Sequence, residues 1–224
     1  MTKIYLIRHC EAQGNHRRVF QGHINTDITE LGAKQLDILA ERFRDIHIDK
    51  IYSSPLLRAM KTAEAAVRGK DIEIIPFDNL IELNGGVLEN QPFEEVFGNN
   101  PDLADTWNNH PQDFAPDEGE PMREAYERIF EAFKFLAQKN KDTTFAISAH
   151  GGVIRCLMCR IMFGDINRLK DVPWSDNTAI SLIELDDYFN ITLKFYNDAS
   201  HLPEELNPKR SRLGSYAGKG ENEE

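Results

Sequence analysis

The sequence predicts an α/β protein: a three-layer α/β/α sandwich whose central sheet is mostly parallel, with an antiparallel edge strand and a helical cap insertion. Three observations lead to this prediction. Short apolar runs alternate with segments of helical spacing, and that order favours parallel strands covered by helices. The last two apolar runs lie close together, as they do in a hairpin. A strongly acidic block separates the third apolar run from the fourth.

Six strands and three helices are predicted along the main sheet. The strands are expected at 2–7, 49–53, 72–75, 143–149, 178–185 and 191–196, and the helices at 29–45, 54–68 and 153–163. Thr29 is a suitable N-cap, and leucines follow it at helical spacing. Ser54 and Pro55 offer an N-cap followed by proline at the first helical position. The helix at 153–163 is bounded by glycines.

The domain organisation follows from length and charge. The chain has 224 residues, 41% hydrophobic and 28% charged, which excludes disordered, collagen-like and membrane-spanning proteins. Residues 71–122 contain thirteen acids and no Lys or Arg. We therefore expect one domain over residues 1–202, with a cap insertion at about 83–120 and a polar C-terminal arm at 203–224.

The charge and the cysteines restrict partners and location. The net charge of −11 argues against nucleic-acid and anionic-membrane partners, so an anionic ligand needs a local positive pocket. Three cysteines do not make a disulfide framework, which favours a reducing compartment. The first residues form a predicted strand and show no signal peptide. The predicted location is the cytoplasm.

Charged residues follow three of the predicted strands. Arg8 and His9 end the first strand, His150 ends the fourth, and Arg58 lies early in the helix after the second. The carboxyl ends of parallel strands meet at one edge of a sheet, so these side chains are expected to converge. Arginine early in a helix opposes the helix dipole unless an anion binds there, and Gly151 offers a bare backbone amide. The pattern predicts a site for a phosphoryl dianion, although a solvent-facing arginine and a core histidine are the alternatives.

One segment near the N-terminus resembles a known family signature. Residues 6–15 begin Leu-Ile-Arg-His-Cys-Glu and end at Asn15. They resemble the L-x-R-H-G-E-x-x-x-N signature of the histidine phosphatase superfamily, in its phosphoglycerate-mutase-like branch. Further stretches resemble motifs of this family in the same order. They are residues 20–22, 29–32, 53–59, 80–89, 119–120, 148–152 and 177–178. The resemblance therefore extends over most of the chain.

The resemblance implies a phosphomonoester hydrolase acting on a small phosphorylated metabolite, without cofactor or metal. His9 would be the nucleophile that forms a phosphohistidine, which water then hydrolyses. Arg8, Arg58 and His150 would stabilise the transferred group, and Glu82 would be the general acid and base. The implied substrate-binding residues are Asn15, Gln21, Gly22 and Gly151.

The sequence departs from the family pattern at three positions. Cys10 replaces a glycine beside the nucleophile, Asn25 replaces an aspartate, and Pro121 replaces a serine. We expect Cys10 to be a packed small thiol, with a reactive, oxidisable thiol as the alternative. The other two changes are expected to affect the rim of the site. Four aromatic residues of the block are candidates for an apolar substrate wall or for core packing: Phe93, Phe97, Trp107 and Phe114.

Three alternatives remain. A phosphoglycerate mutase would share the chemistry, but it needs further basic residues, and the acidic block has none. The block favours a leaving group that is neutral, apolar or cationic, with an acidic surface that faces away from the site as the alternative interpretation. A non-catalytic phosphate-binding protein is the second alternative. The third is a zinc site, suggested by the seven-residue spacing of His9, His16 and His23. Intervening glycines disfavour the helix that such a site would need.

Overall fold

The computed structural model of the chain describes residues 1–207, so the predicted C-terminal arm lies outside the described residues from position 208 onward. Six strands form a single sheet. They are β1 (Thr2–Arg8), β2 (Lys50–Ser53), β3 (Ile74–Pro76), β4 (Thr144–Ala149), β5 (Ile180–Leu185) and β6 (Ile191–Asp198). All six strands were predicted, with bounds that differ by a few residues.

The sheet has the order β3-β2-β4-β1-β5-β6. The pairs β3–β2, β2–β4 and β4–β1 are parallel, whereas β5 is antiparallel to both β1 and β6. The predicted mostly parallel sheet with antiparallel pairing at one edge is confirmed. In detail, β5 is the reversed strand and lies one position inside the edge, which β6 forms.

Helices cover both faces of the sheet. The α-helices are α1 (Gln13–His16), α2 (Glu30–Phe43), α3 (Leu57–Ala66), α4 (Phe93–Gly98), α5 (Pro101–Asn109), α6 (Met122–Lys139) and α7 (Gly151–Phe163). Short 3₁₀ helices lie at Asp78–Leu80, Gly86–Leu88, Pro111–Asp113, Ile166–Asp171 and Glu204–Leu206. None of the helices among residues 1–207 is long and apolar enough to cross a membrane.

The central strands are buried on both sides, which is why their sequences are mostly apolar. In β1, Ile4 and Leu6 join the cluster formed by α6 and α7, while Ile7 joins the cluster formed by α2 and α3. Successive side chains of a strand point to opposite faces, so these two clusters are the two interlayer cores. The arrangement is the predicted three-layer sandwich.

The helix starts differ in how well local sequence predicts them. Thr29 is the N-cap of α2, as predicted, and its side chain accepts a hydrogen bond from the Gly32 amide. Ser54 is not the N-cap of α3, because the helix begins at Leu57. The first helical amide, that of Leu57, donates instead to Asn25 Oδ1 at 2.7 Å. The cap of α3 comes from a distant loop, so a local capping pattern does not reveal it.

The segment predicted to be a cap, residues 83–120, contains α4, α5 and two of the 3₁₀ helices. Its apolar side chains pack into the core on the α6–α7 side of the sheet. Ten of the thirteen acids of the acidic block are exposed, and the three others are Glu82, Glu89 and Glu120. Most of the negative charge therefore faces solvent.

Candidate active site

His9 lies directly after β1, and its backbone amide donates to the Ala149 carbonyl at the end of β4. Its side chain is only 3% exposed. His9 Nδ1 lies 2.6 Å from the Cys10 carbonyl oxygen. Because a carbonyl oxygen only accepts hydrogen bonds, we assign the ring hydrogen to Nδ1, which leaves the lone pair on Nε2. Nε2 is thus the nucleophilic atom of this imidazole.

The surroundings of His9 keep it uncharged. Burial lowers its pKa well below the ordinary value of 6.5, and the positive charges of Arg58 and Arg8 lower it further. The hydrogen bond to Cys10 opposes this shift. A neutral imidazole is the form able to attack an electrophile, so the two arginines both flank the nucleophile and keep it reactive.

Arg58 lies in the first turn of α3 and is fully buried. Its terminal nitrogens donate to the carbonyl oxygens of Ile24, at 2.7 Å, and Gly22, at 2.9 Å. Burial lowers its pKa to about 10, so the group remains charged at neutral pH. Each terminal nitrogen carries a second hydrogen that is suited to an oxyanion.

His150 directly follows β4 and is fully buried beside His9, with ring centroids 5.2 Å apart. Its Nδ1 accepts from Arg58 Nε at 3.2 Å, and its Nε2 donates to Ser54 Oγ at 2.7 Å. Burial and the nearby Arg58 lower the pKa of His150 well below 6.5. Nδ1 is thus engaged with Arg58 and Nε2 with Ser54, and direct contact of His150 with a phosphoryl group stays a prediction.

Arg8 is the second fully buried arginine of the site. Its guanidinium donates to the Ser175 carbonyl oxygen. Burial lowers its pKa, while the charges of Glu82 and Asp176 raise it. A side chain at Gly151 would begin 3.4 Å from Arg8 Nε. The turn between β4 and α7 therefore runs directly against this guanidinium.

The Glu82 carboxylate is fixed by two backbone amides. Leu83 N donates to Oε1 at 3.0 Å, and Gly152 N, in the first turn of α7, donates to Oε2 at 3.1 Å. A Cβ at Gly152 would lie 2.6 Å from Oε1 and 2.5 Å from Leu83 Cδ1. The absence of a side chain at position 152 is therefore what lets the carboxylate approach the helix.

A narrow cavity of about 40 Å³ lies at this edge of the sheet. Five of the nine predicted site residues line it: His9, Gln21, Gly22, Arg58 and Glu82. Arg8, His150 and Gly151 do not line it. Asn15 does not line it either, and its Oδ1 accepts from the Ala12 amide at 3.0 Å. Gly22 has φ +46°, and a Cβ there would collide with Glu89 Oε1 at 2.0 Å, so glycine is required.

The sequence did not reveal all of the cavity wall. Phe93 and Trp107 line the cavity, as one of the two interpretations expected, while Phe97 and Phe114 pack behind them in the core. Arg155 was not predicted to belong to the site. The sequence signal that could have revealed Arg155 is a charged residue within the apolar run of α7, between Ile154 and Cys156.

Cys10 points away from the cavity, into the cluster between the sheet and α2–α3. Burial raises the pKa of its thiol to about 12, so it is protonated at neutral pH. The three histidines of the alternative zinc site differ in environment, since His9 is buried while His16 and His23 are exposed. Residues 1–207 contain no group of three or more His, Cys, Asp or Glu side chains placed to bind a metal ion.

Comparisons with known proteins cover nearly the whole chain. The family model of the histidine phosphatase superfamily (branch 1) matches residues 4–199. Phosphoserine phosphatase 1 of Hydrogenobacter thermophilus is 30% identical over 91% of this chain and 96% of its own length. Phosphoglycerate mutase-like protein 4 of Arabidopsis thaliana is 30% identical over 91% of this chain and 88% of its own length. The solved structure of Bacillus stearothermophilus YhfR superposes with a TM-score of 0.85 at 28% identity, covering 90% of this chain and 99% of that one.

Proposed function

Since this chain belongs to the histidine phosphatase superfamily, we propose that it hydrolyses small phosphomonoesters through a phosphohistidine formed on His9. The family assignment makes the chain a phosphoric monoester hydrolase. One observation carries the assignment of the nucleophile: a buried, neutral imidazole has its lone pair on Nε2 because Nδ1 is bonded to the Cys10 carbonyl. That imidazole lines the cavity together with Arg58 and Glu82.

In the first step, His9 Nε2 attacks the phosphorus and the bond to the leaving oxygen breaks. Glu82, in its protonated form, gives its proton to that oxygen, so the alcohol leaves neutral. The transferred group carries negative charge on its equatorial oxygens, which the Arg8 and Arg58 guanidinium groups offset. His150 acts as a positioning residue, because it holds Arg58 Nε.

In the second step, water enters where the alcohol left. The Glu82 carboxylate takes a proton from this water as its oxygen attacks phosphorus, and the bond between phosphorus and His9 Nε2 breaks. The products are inorganic phosphate, a neutral His9 and a protonated Glu82, which restores the starting state. Gln21 and Gly22, which line the cavity, are proposed to contact the phosphate; Asn15 and Gly151 are proposed to shape the loops that surround it.

The test measures phosphate release from p-nitrophenyl phosphate. It also measures labelling of the protein by an isotopically labelled phosphoryl group of that substrate. We expect rapid labelling that is lost in acid and retained in alkali, as for a phosphohistidine. His9→Ala should abolish both labelling and turnover. His16→Ala, a histidine of the same segment that is exposed, is the matched control and should retain both. Unchanged turnover in His9→Ala would remove His9 from the mechanism and refute the proposal.

Mutase activity is the second candidate, because one relative is named as phosphoglycerate mutase-like. A mutase returns the phosphoryl group to a bound product, whereas a hydrolase passes it to water. With 3-phosphoglycerate as substrate, we expect phosphate release to exceed formation of 2-phosphoglycerate. The opposite ratio would assign the chain to the mutases, with the same nucleophile.

We also propose the organisation and setting of the enzyme. Residues 83–120 act as a cap over the site, which is supported by Phe93 and Trp107 on the cavity wall. A cytoplasmic location is supported by three free, buried cysteines. The net charge of −11 supports the absence of a nucleic-acid partner.

A further inference from the structure

Arg155 is a buried cation that the catalytic scheme does not use. It lies in α7, is 7% exposed and forms part of the cavity wall. Its Nε donates to the Val172 carbonyl oxygen at 2.9 Å. Within residues 1–207, no carboxylate pairs with its guanidinium, and the terminal nitrogens make no hydrogen bond. Buried arginines are normally paired with an anion, and the cavity that Arg155 lines gives an anion access to this guanidinium.

Trp174 fixes the orientation of this guanidinium. The central carbon of the Arg155 guanidinium lies 4.6 Å from the centroid of the Trp174 ring, an attractive cation–π contact. Trp174 in turn stacks on Trp107 of the cavity wall, with centroids 5.8 Å apart. Since one face of the guanidinium is covered by the ring and Nε is bonded to the backbone, the terminal nitrogens remain for an acceptor in its plane.

The same short loop holds both Arg155 and Arg8. The Val172 carbonyl accepts from Arg155, and the Ser175 carbonyl accepts from Arg8. A side chain at Gly151 would begin 3.3 Å from the Trp174 ring and 3.4 Å from Arg8 Nε. The second cation therefore lies beside the phosphoryl site and is held by the same loop as Arg8, rather than on a separate surface.

We propose that Arg155 binds a carboxylate of the leaving group, so that the preferred substrates are phosphomonoesters of carboxylate-bearing alcohols. This inference rests on the proposed function. A carboxylate is favoured over a second phosphate because it is smaller and planar and pairs edge to edge with a guanidinium, whose face is here covered by Trp174. The acidic block does not oppose this, since ten of its thirteen acids face solvent. The leaving group is thus anionic, not neutral or cationic as the block alone suggested.

The test compares O-phosphoserine with O-phosphoethanolamine, which differ only by the carboxylate. We expect the wild-type kcat/KM for phosphoserine to be higher by about tenfold to a hundredfold, the range typical of a charge-assisted hydrogen-bonded pair. Arg155→Met should lower kcat/KM for phosphoserine by about that factor and leave phosphoethanolamine nearly unchanged. Arg160→Met, on the same helix and paired with Glu127 at the surface, is the matched control and should keep the wild-type ratio.

Equal wild-type values for the two substrates, or equal losses for both in Arg155→Met, would overturn the inference. If Arg155→Met does not fold, Arg155→Lys replaces it: a ratio below the wild-type ratio supports the inference, and an unchanged ratio overturns it, because lysine keeps the charge but not the planar pair. Phosphohistidine formation on His9 without a carboxylate preference overturns this inference alone. Failure to release phosphate from any monoester instead overturns the proposed function.

Discussion

A methyl group at position 152 should separate the catalytic role of Glu82 from its role in the fold. In Gly152→Ala the new Cβ would lie 2.6 Å from Glu82 Oε1 and 2.5 Å from Leu83 Cδ1, so both side chains must move. Both atoms end flexible side chains, and alanine favours the helix by up to about 1 kcal/mol over glycine. We therefore expect the melting temperature to stay within about 4 °C of the wild-type value.

The expected loss in activity is larger. Moving Glu82 breaks its 3.1 Å hydrogen bond from the Gly152 amide; for the protonated, uncharged general acid such a bond contributes about 0.5–1.5 kcal/mol. Because that energy positions the general acid, kcat/KM falls by about twofold to tenfold. The loss should depend on the leaving group, because a good leaving group such as p-nitrophenolate needs little protonation, whereas an alkoxide needs it fully.

The assay compares kcat/KM for p-nitrophenyl phosphate with kcat/KM for β-glycerophosphate, because kcat/KM reports the transfer to His9 and not the later attack of water. Gly152→Ala should lose most activity on the alkyl ester, while Gly98→Ala, whose Cβ meets no atom of the described residues within 4 Å, should match the wild type on both. Equal losses on the two esters in Gly152→Ala would refute the assignment of Glu82 as the general acid. Full activity of Gly152→Ala on both esters would show that catalysis does not depend on the position of the Glu82 carboxylate.

Three further predictions concern stability and reactivity. Asn25→Ala should lower the free energy of unfolding in urea by about 1 kcal/mol, because the Leu57 amide loses its hydrogen-bond acceptor. Asn100→Ala, which removes the cap of α5, is the matched comparison. A wild-type free energy of unfolding in Asn25→Ala would contradict the capping role. Iodoacetamide at pH 8 should leave turnover intact, since burial raises the pKa of the Cys10 thiol to about 12. Inactivation by iodoacetamide that Cys10→Ala prevents would show that this thiol is reactive. Burial lowers the pKa of His201 from 6.5 to about 4, so its contribution to stability is full above pH 6.5 and is lost as the pH falls to 4. In the wild type the urea midpoint of unfolding should therefore fall as the pH drops from 6.5 to 4, and in His201→Gln it should fall less. An equal fall in the two proteins would contradict this role of His201.

The fold was predictable because its signals are local. Strands buried on both faces are apolar over most of their length, so β1 and β4 stand out from the sequence. The end of each strand fixes where Arg8, His9 and His150 meet, since parallel strands end at one edge. The reversal of β5 one position inside the edge was less visible, because strand direction depends on the connections and not on the side chains of the strand.

The parts of the site that were missed depend on contacts between distant residues. Asn25 caps α3 across 32 positions, so the local Ser-Pro pattern pointed to the wrong residue. Arg155 reaches the cavity only because α7 and the Val172 loop lie together. The acidic block shows a related limit: its composition is visible in the sequence, but the direction in which its side chains face is set by packing.

The hydrogen bond from His9 to the backbone of Cys10 also sets how long the covalent intermediate lasts. A ring phosphorylated on Nε2 that keeps its hydrogen on Nδ1 is an imidazolium. When its bond to phosphorus breaks, such a ring departs as a stable, neutral heterocycle, whereas a ring stripped of that hydrogen would have to depart as an anion. The hydrogen bond to this one peptide oxygen therefore favours a short-lived phosphohistidine that transfers its phosphoryl group quickly to water.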